Sequence, residues 1–344
     1  MNEEDDITID FQHRQTAHCE SGVVANLMQY HGLPVSEALV FGMGGGLFFG
    51  YFPFIRINGL PLTTYRSAAG NILKRVARNV GFKVREEKFS SPEKAMAALD
   101  RSLAVCQPVG LQVGVFWLPY FPRSFRFHFN AHNLVVYGRS GSDYLISDPV
   151  FPSPVICSGE DLARARFARG PLSPRGRMYL LDRMPSCTQY SKGILDGIRH
   201  VCRMMIKTPV PLIGVRGIRF LAFRMRSWPE RLGREKAALI LGQVVRMQEE
   251  IGTGGGGFRF IFAAFLQEAA GIYPDAGLLE CSRELTEAGD RWREFAVIAA
   301  RICKGRAGAE DSYTRMSGIL EDCAQRETGV YKNLLAFTGR INSN

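Results

Sequence analysis

No run of about eighteen apolar residues occurs in this 344-residue chain, so a membrane-spanning helix is not expected. Cys-x-x-Cys pairs are missing as well. The eight cysteines stand far apart, at 19, 106, 157, 187, 202, 281, 303 and 323. That spacing argues against a zinc ribbon and against a disulfide framework, and points to reduced thiols in a cytoplasmic protein with no metal. The first residues, Met1-Asn-Glu-Glu-Asp-Asp6, have no apolar core, so a secretory signal is not expected. Two glycine-rich stretches, Phe41–Tyr51 and Gly252–Gly257, lack the Gly-Lys-Ser/Thr ending of a phosphate loop. Acidic residues are in deficit, 33 against 43 basic ones, for a net charge of +10. The excess favours an acidic partner. Nucleic acid ranks last among such partners, because no recognition motif appears.

What is present is an ordinary globular composition, 46% hydrophobic and 22% charged, long enough for two domains. Its organising stretch runs from Phe11 to Gly32. A polar loop ends at His18-Cys19, and Val23, Val24, Leu27 and Met28 then recur at helical spacing, with Gly32 as a stop. Cys19 thus falls in the first helical turn. Unpaired N–H groups and the helix dipole favour a thiolate there. The competing reading is a buried structural cysteine.

Ser36 reads as the cap of a following helix. In the glycine run, Phe48, Phe49 and Tyr51 read equally well as the wall of an apolar substrate pocket or as core. A helix is expected over Tyr65–Val80, a strand over Phe82–Glu86, a helix capped by Ser91, and a buried strand over Pro108–Phe116. Ala131–Gly138 and Asp143–Asp148 form a strand pair around the turn Arg139–Ser142. With that turn centred on Ser140–Gly141, hairpin register sets His132 opposite about Asp148 or Pro149. Cys19, His132 and Asp148 then make a nucleophile, a base and an orienter. His128, four residues upstream, is the rival base. A last strand, Arg177–Asp182, leads to a linker over Pro185–Gln189. Beyond it strand signals vanish. Helices are expected over 191–205, 216–226, 230–251, 258–270, 277–301 and 311–335, with Gly252–Gly257 as a flexible break.

Several of these residues together resemble a known family. Phe11, His13, Arg14, His18 and Cys19, then Tyr30-His-Gly32, Ser36-Glu-Ala38, Phe41-Gly-Met-Gly44 and Asp148-Pro149, resemble the N-terminal domain of butirosin biosynthesis protein H. Gly217-Ile218, Trp228-Pro229, Phe258-Arg259, the Phe265-Leu-Gln-Glu-Ala269 run and Trp292 are similar to the helical domain that follows it. The resemblance covers nearly the whole chain. It implies an α+β, papain-like fold, an antiparallel sheet with an N-terminal cysteine helix, over 1–185, and an all-α domain over 186–344. It implies that Cys19 is the nucleophile, His132 the base and Asp148 the orienter. Papain-like enzymes place an oxyanion glutamine six residues before the cysteine. His13 holds that position here, with Gln12 and Gln15 beside it, and His18 is a further auxiliary candidate.

The reading that follows is a cysteine-dependent acyltransferase of secondary metabolism. An acyl group passes from an acidic acyl carrier protein to Cys19 and on to a small-molecule amine. No resident cofactor is expected, since phosphopantetheine arrives on the carrier. Two alternatives use the same residues, a leader-type cysteine peptidase and a non-catalytic carrier-binding scaffold. The sequence leaves the oligomeric state open, a homodimer among the options.

Overall fold

The computed structural model describes residues 6–57, 59–185 and 190–342. In chain order the first elements are β1 (Ile7–Thr8), α1 (Cys19–Tyr30), α2 (Glu37–Met43), β2 (Leu47–Ile57), β3 (Leu60–Arg66), α3 (Asn71–Val80) and β4 (Lys83–Glu87). There follow α4 (Pro92–Ala104), β5 (Val109–Val113), β6 (His132–Ser140), β7 (Asp143–Ser147), β8 (Val155–Ser158), α5 (Gly159–Arg166) and β9 (Met178–Asp182). The rest is helical: α6 (Ser191–Cys202) with a π-turn at Arg203–Lys207, α7 (Gly214–Met225), α8 (Trp228–Leu232), α9 (Arg234–Glu249), α10 (Arg259–Ile272), α11 (Ala276–Cys303) and α12 (Tyr313–Asn342). The fold class is α+β.

Contacts divide the described residues into two compact units, 6–40 with 76–185, and 41–75 with 190–342. The division therefore differs from a single cut after 185, because the β2–β3 hairpin belongs with the helices. The expected linker at Pro185–Gln189 falls, after its first residue, outside the described residues.

The first unit is built on a seven-stranded antiparallel sheet in the order β4-β9-β5-β6-β7-β8, with β1 paired to the end of β6. Alternation in β5 and β6 puts Val109, Leu111, Val113, Leu134 and Val136 into one core with Leu99 and Leu103 of α4 and Leu162 of α5. The intervening residues are polar or small. Tyr179 lies across the strand from Gly110, where a Cβ would come within 2.3 Å of its ring. Its hydroxyl donates to Asn133 Oδ1 at 3.0 Å. Buried hydroxyl and amide thus satisfy each other.

In the second unit Phe262, Phe265, Leu285, Trp292, Phe295 and Leu320 are buried. Arg259, wholly buried, gives both Nε and Nη2 to the Glu327 carboxylate at 3.0 Å and Nη1 to the Gly257 carbonyl at 2.8 Å. Trp292 Nε1 (2.8 Å) and the Tyr331 hydroxyl (2.9 Å) complete the carboxylate's partners. A buried ion pair is tolerable only when satisfied in this way.

Three expectations need correcting. Tyr65 opens no helix. It ends the β2–β3 hairpin, where Pro61, Thr63 and Tyr65 alternate inward, and α3 begins only after the left-handed Gly70. The helix expected over 230–251 is broken into α8 and α9 at Gly233, whose φ is +81°. Gly252–Gly257 is no flexible break. Gly255, Gly256 and Gly257 are buried with positive φ, and a Cβ on Gly257 would come within 2.4 Å of the Tyr65 ring. Close backbone approach, rather than looseness, requires glycine there.

Among the described residues no helix is long and apolar enough to cross a membrane, and no cluster of three or more His, Cys, Asp or Glu residues could hold a metal. The seven described cysteines are unpaired thiols.

Candidate active site

The loop before α1 is held from several sides. His18 caps the helix from an extended backbone (φ −123°), its Nδ1 within reach of Ser21 N (3.3 Å) and Oγ (2.8 Å). The Glu37 carboxylate accepts from Ala17 N (2.9 Å), His18 N (2.7 Å) and the Ser21 hydroxyl (3.1 Å). Burial pushes the Glu37 carboxyl up, against the pull of those three hydrogen bonds. Asn26 Nδ2 donates to Arg14 O at 3.1 Å, and Thr16 N donates to Pro149 O at 2.6 Å. The last bond ties the cysteine loop to the end of β7. Gly22 allows it, since a Cβ there would stand 1.9 Å from Thr16 Oγ1 and 2.9 Å from Pro149 Cβ. Cys19 is therefore presented at the first position of α1, 7% exposed, among the helix's N–H groups that have no intrahelical acceptor.

His132 begins β6, opposite Val113 of β5. Its Nε2 lies 2.7 Å from Asp148 Oδ2, and the Cys19 side chain is near enough to act on the ring's charge. Asp148 is fully buried just past the end of β7. Its Oδ2 accepts from the Tyr120 hydroxyl at 3.0 Å, and its Oδ1 from Val150 N at 3.3 Å. Burial alone would push the imidazole down. The Asp148 charge and hydrogen bond, with a smaller contribution from Cys19, outweigh it and hold His132 up at about 10. A ring kept protonated near neutral pH gives its Nε2–H to Asp148 and leaves a positive charge beside Cys19. Phe121 stands edge-on to the ring at 5.4 Å and packs against Phe151.

The route by which His132 and Asp148 meet differs from the expected register. The turn is Gly141–Ser142, since Ser140 faces Asp143, and an irregularity between Val136 and Gly138 shifts the pairing by one. The last paired residues are Val135 and Ser147. Asp148 thus reaches His132 diagonally from beyond the ladder, a separation long side chains can span. His128 stays out of the site. It is exposed and stacked on Phe116 at 4.3 Å.

Residues 160–334 match a family described as Domain of unknown function (DUF4872), and residues 18–149 match Butirosin biosynthesis protein H, N-terminal. The chain belongs to the DUF4872 family and carries a butirosin biosynthesis protein H N-terminal domain. No curated protein matches it significantly. Among solved structures, one from Bacillus anthracis, named as a C39-like peptidase, is similar at 16% identity with a TM-score of 0.36. The match covers 53% of this chain and all of that one.

In the butirosin-type domain, the cysteine stands at the head of a helix and the histidine–carboxylate pair at the end of an antiparallel sheet. Two expected auxiliaries lie elsewhere. Both ring nitrogens of His13 are engaged, Nδ1 with Ser147 Oγ (2.8 Å) and Nε2 with Phe151 O (3.0 Å), so the ring anchors the loop and has no donor to spare for an oxyanion. Gln15 is exposed. Phe49 and Tyr51 are packed as core. Phe49 is fully buried against Tyr65 and Trp292, Tyr51 is buried against Phe220 and Trp228, and Phe48 is half-buried at the same strand. Phe49 and Tyr51 belong to the second unit's own packing. Tyr120 and the clamp by Glu37 escape sequence reading. Ser36-Glu37 reads as a helix start, and nothing in Leu118-Pro-Tyr-Phe-Pro122 marks a hydroxyl aimed at a carboxylate.

Proposed function

We propose that the protein is a cysteine-dependent acyltransferase that takes an acyl group from a carrier-protein thioester and delivers it to an amine. The observation that carries this reading is one cluster: Cys19 at the start of α1, electrostatically coupled to His132, which Asp148 holds at 2.7 Å. Cys19 attacks the thioester carbonyl, and its S–C bond forms as the pantetheine S–C bond breaks. The departing thiolate takes the proton from His132. The amine nitrogen then attacks the acyl-cysteine, His132 receives the amine proton, and Cys19 leaves as thiolate. The sum is thioester plus amine giving amide plus free thiol. The Cys19 N–H is the oxyanion donor this scheme uses.

The match to a butirosin biosynthesis domain supports a biosynthetic setting over protein degradation. The basic excess of +10 supports an acidic acyl donor. The direct test incubates the protein with a short acyl-pantetheine and follows intact mass. A single acyl adduct should form on the wild type, be absent from Cys19→Ala, and discharge as an amide when an amine is added. Hydrolysis alone, with amines left unacylated, contradicts the transfer step. An adduct on Cys19→Ala contradicts the nucleophile.

A further inference from the structure

The helical unit contains a cleft of about 360 Å³ that the reaction above does not use. Four cations surround it: Lys207 at the end of the π-turn, Arg216 and Arg219 one turn apart on α7, and Lys332 on α12. All four are exposed, and none has an ion pair or hydrogen bond among the described residues. Other cations of the unit differ among themselves: Arg231, Arg234 and Lys236 likewise have no side-chain partner among the described residues, whereas several are paired. Arg226 pairs with Glu321, Arg291 with Asp322, Arg315 with Glu294 and Arg340 with Asp275. No carboxylate lines the cleft. The remaining wall is Ile206, Val215 and Leu335 with Thr328, whose hydroxyl donates to Ala324 O at 2.6 Å.

Unpaired cations around a hollow fit an anion better than a solvated face does. Two arginines three residues apart on one helix offer planar forks suited to a phosphate's oxygens, and the lysines add point charge. The volume lies at the small end of the range for ligand pockets. A bare phosphate would leave the apolar wall unused. We infer that this cleft binds a small soluble phosphate ester, its phosphate held by Lys207, Arg216, Arg219 and Lys332 and its apolar arm laid on Ile206, Val215 and Leu335. The apolar side chains beside the cations favour a small amphiphile over a purely charged partner.

The test titrates the full-length protein calorimetrically with hexyl phosphate, inorganic phosphate and hexanol. Hexyl phosphate should bind about tenfold or more tighter than either part alone, as expected when charge and apolar contact add. Arg216→Glu with Arg219→Glu should weaken it by about tenfold or more. Leu335→Ala should weaken hexyl phosphate while leaving inorganic phosphate unchanged. These positions are exposed or half-buried, and an unchanged circular dichroism spectrum confirms folding of the variants. Hexyl phosphate binding no tighter than inorganic phosphate, or binding unaffected by charge reversal, overturns the site. So does charge-dependent binding of a Glu-rich peptide or of phosphatidate vesicles in the absence of hexyl phosphate binding. Cys19 takes no part in any of these readouts, so the outcome is independent of the acyl-transfer reading.

Discussion

At the scale of single residues, His132 governs both reactivity and pH response. Its folded value of about 10 lies above the ordinary 6.5. Its contribution to stability is therefore complete below about 6.5 and is lost as pH rises through about 10. With Cys19 as thiolate, whose proton the unfolded chain keeps up to about 8.5, the native pair holds an extra proton only between about 8.5 and 10. Unfolding free energy should then fall by up to about 1.4 kcal/mol per pH unit, and His132→Ala should flatten that slope. Urea unfolding at several pH values measures it, and an equal slope in both proteins contradicts the assignment. Tyr120→Phe removes one donor from the buried Asp148 carboxylate. A stability loss of about 1 kcal/mol is expected, with slower alkylation of Cys19 but more remaining than in His132→Ala. Cys19, His132 and Asp148 were legible in the sequence because helix capping and a hairpin are local patterns. Tyr120 and Glu37 were not, because neither sits in a hairpin or helix-start pattern that points it at its partner, and only the folded chain shows the contact.

At the scale of elements, the join between the cysteine loop and the end of β7 sets the site. Helix propensity alone predicts that Gly22→Ala stabilises α1 by up to about 1 kcal/mol. The close approach of Thr16 and Pro149 predicts the opposite. Overpacking of this kind costs about 1–3 kcal/mol, so net destabilisation and a displaced Thr16–Pro149 contact are expected. A melting temperature raised by Gly22→Ala refutes that view of the loop. In the helical unit, the Glu327 carboxylate joins α10, α11 and α12 through Arg259, Trp292 and its own neighbour Tyr331. Glu327→Ala strands a buried guanidinium and should cost about 3–5 kcal/mol in chemical denaturation. A loss under 1 kcal/mol, on the order of an exposed pair, contradicts a buried role.

For the molecule as a whole, sequence reading recovered the sheet-plus-helices class and most helices, since long amphipathic periods are strong signals. It misassigned 41–75. The same aromatics that suggested a pocket, Phe49 and Tyr51, are a hairpin's contribution to the helical unit's core, and their partners Trp228 and Trp292 lie more than 150 residues on. It also read Gly252–Gly257 as slack, because composition does not distinguish a flexible glycine run from one pressed against an aromatic ring. The cleft of unpaired cations appears only when α7, α12 and the π-turn come together.

The central claim, that Cys19 is activated by His132, is tested most directly by alkylation with iodoacetamide at about pH 6.5, read cysteine by cysteine by peptide mass spectrometry. Cys106 and Cys303 are exposed, whereas Cys19 is 7% exposed. Access alone predicts that Cys106 and Cys303 react first. The account predicts that Cys19 reacts first despite its burial, and that His132→Ala abolishes the advantage. If Cys19 lags behind Cys106 and Cys303, or keeps its lead without His132, the thiolate–imidazolium site is contradicted.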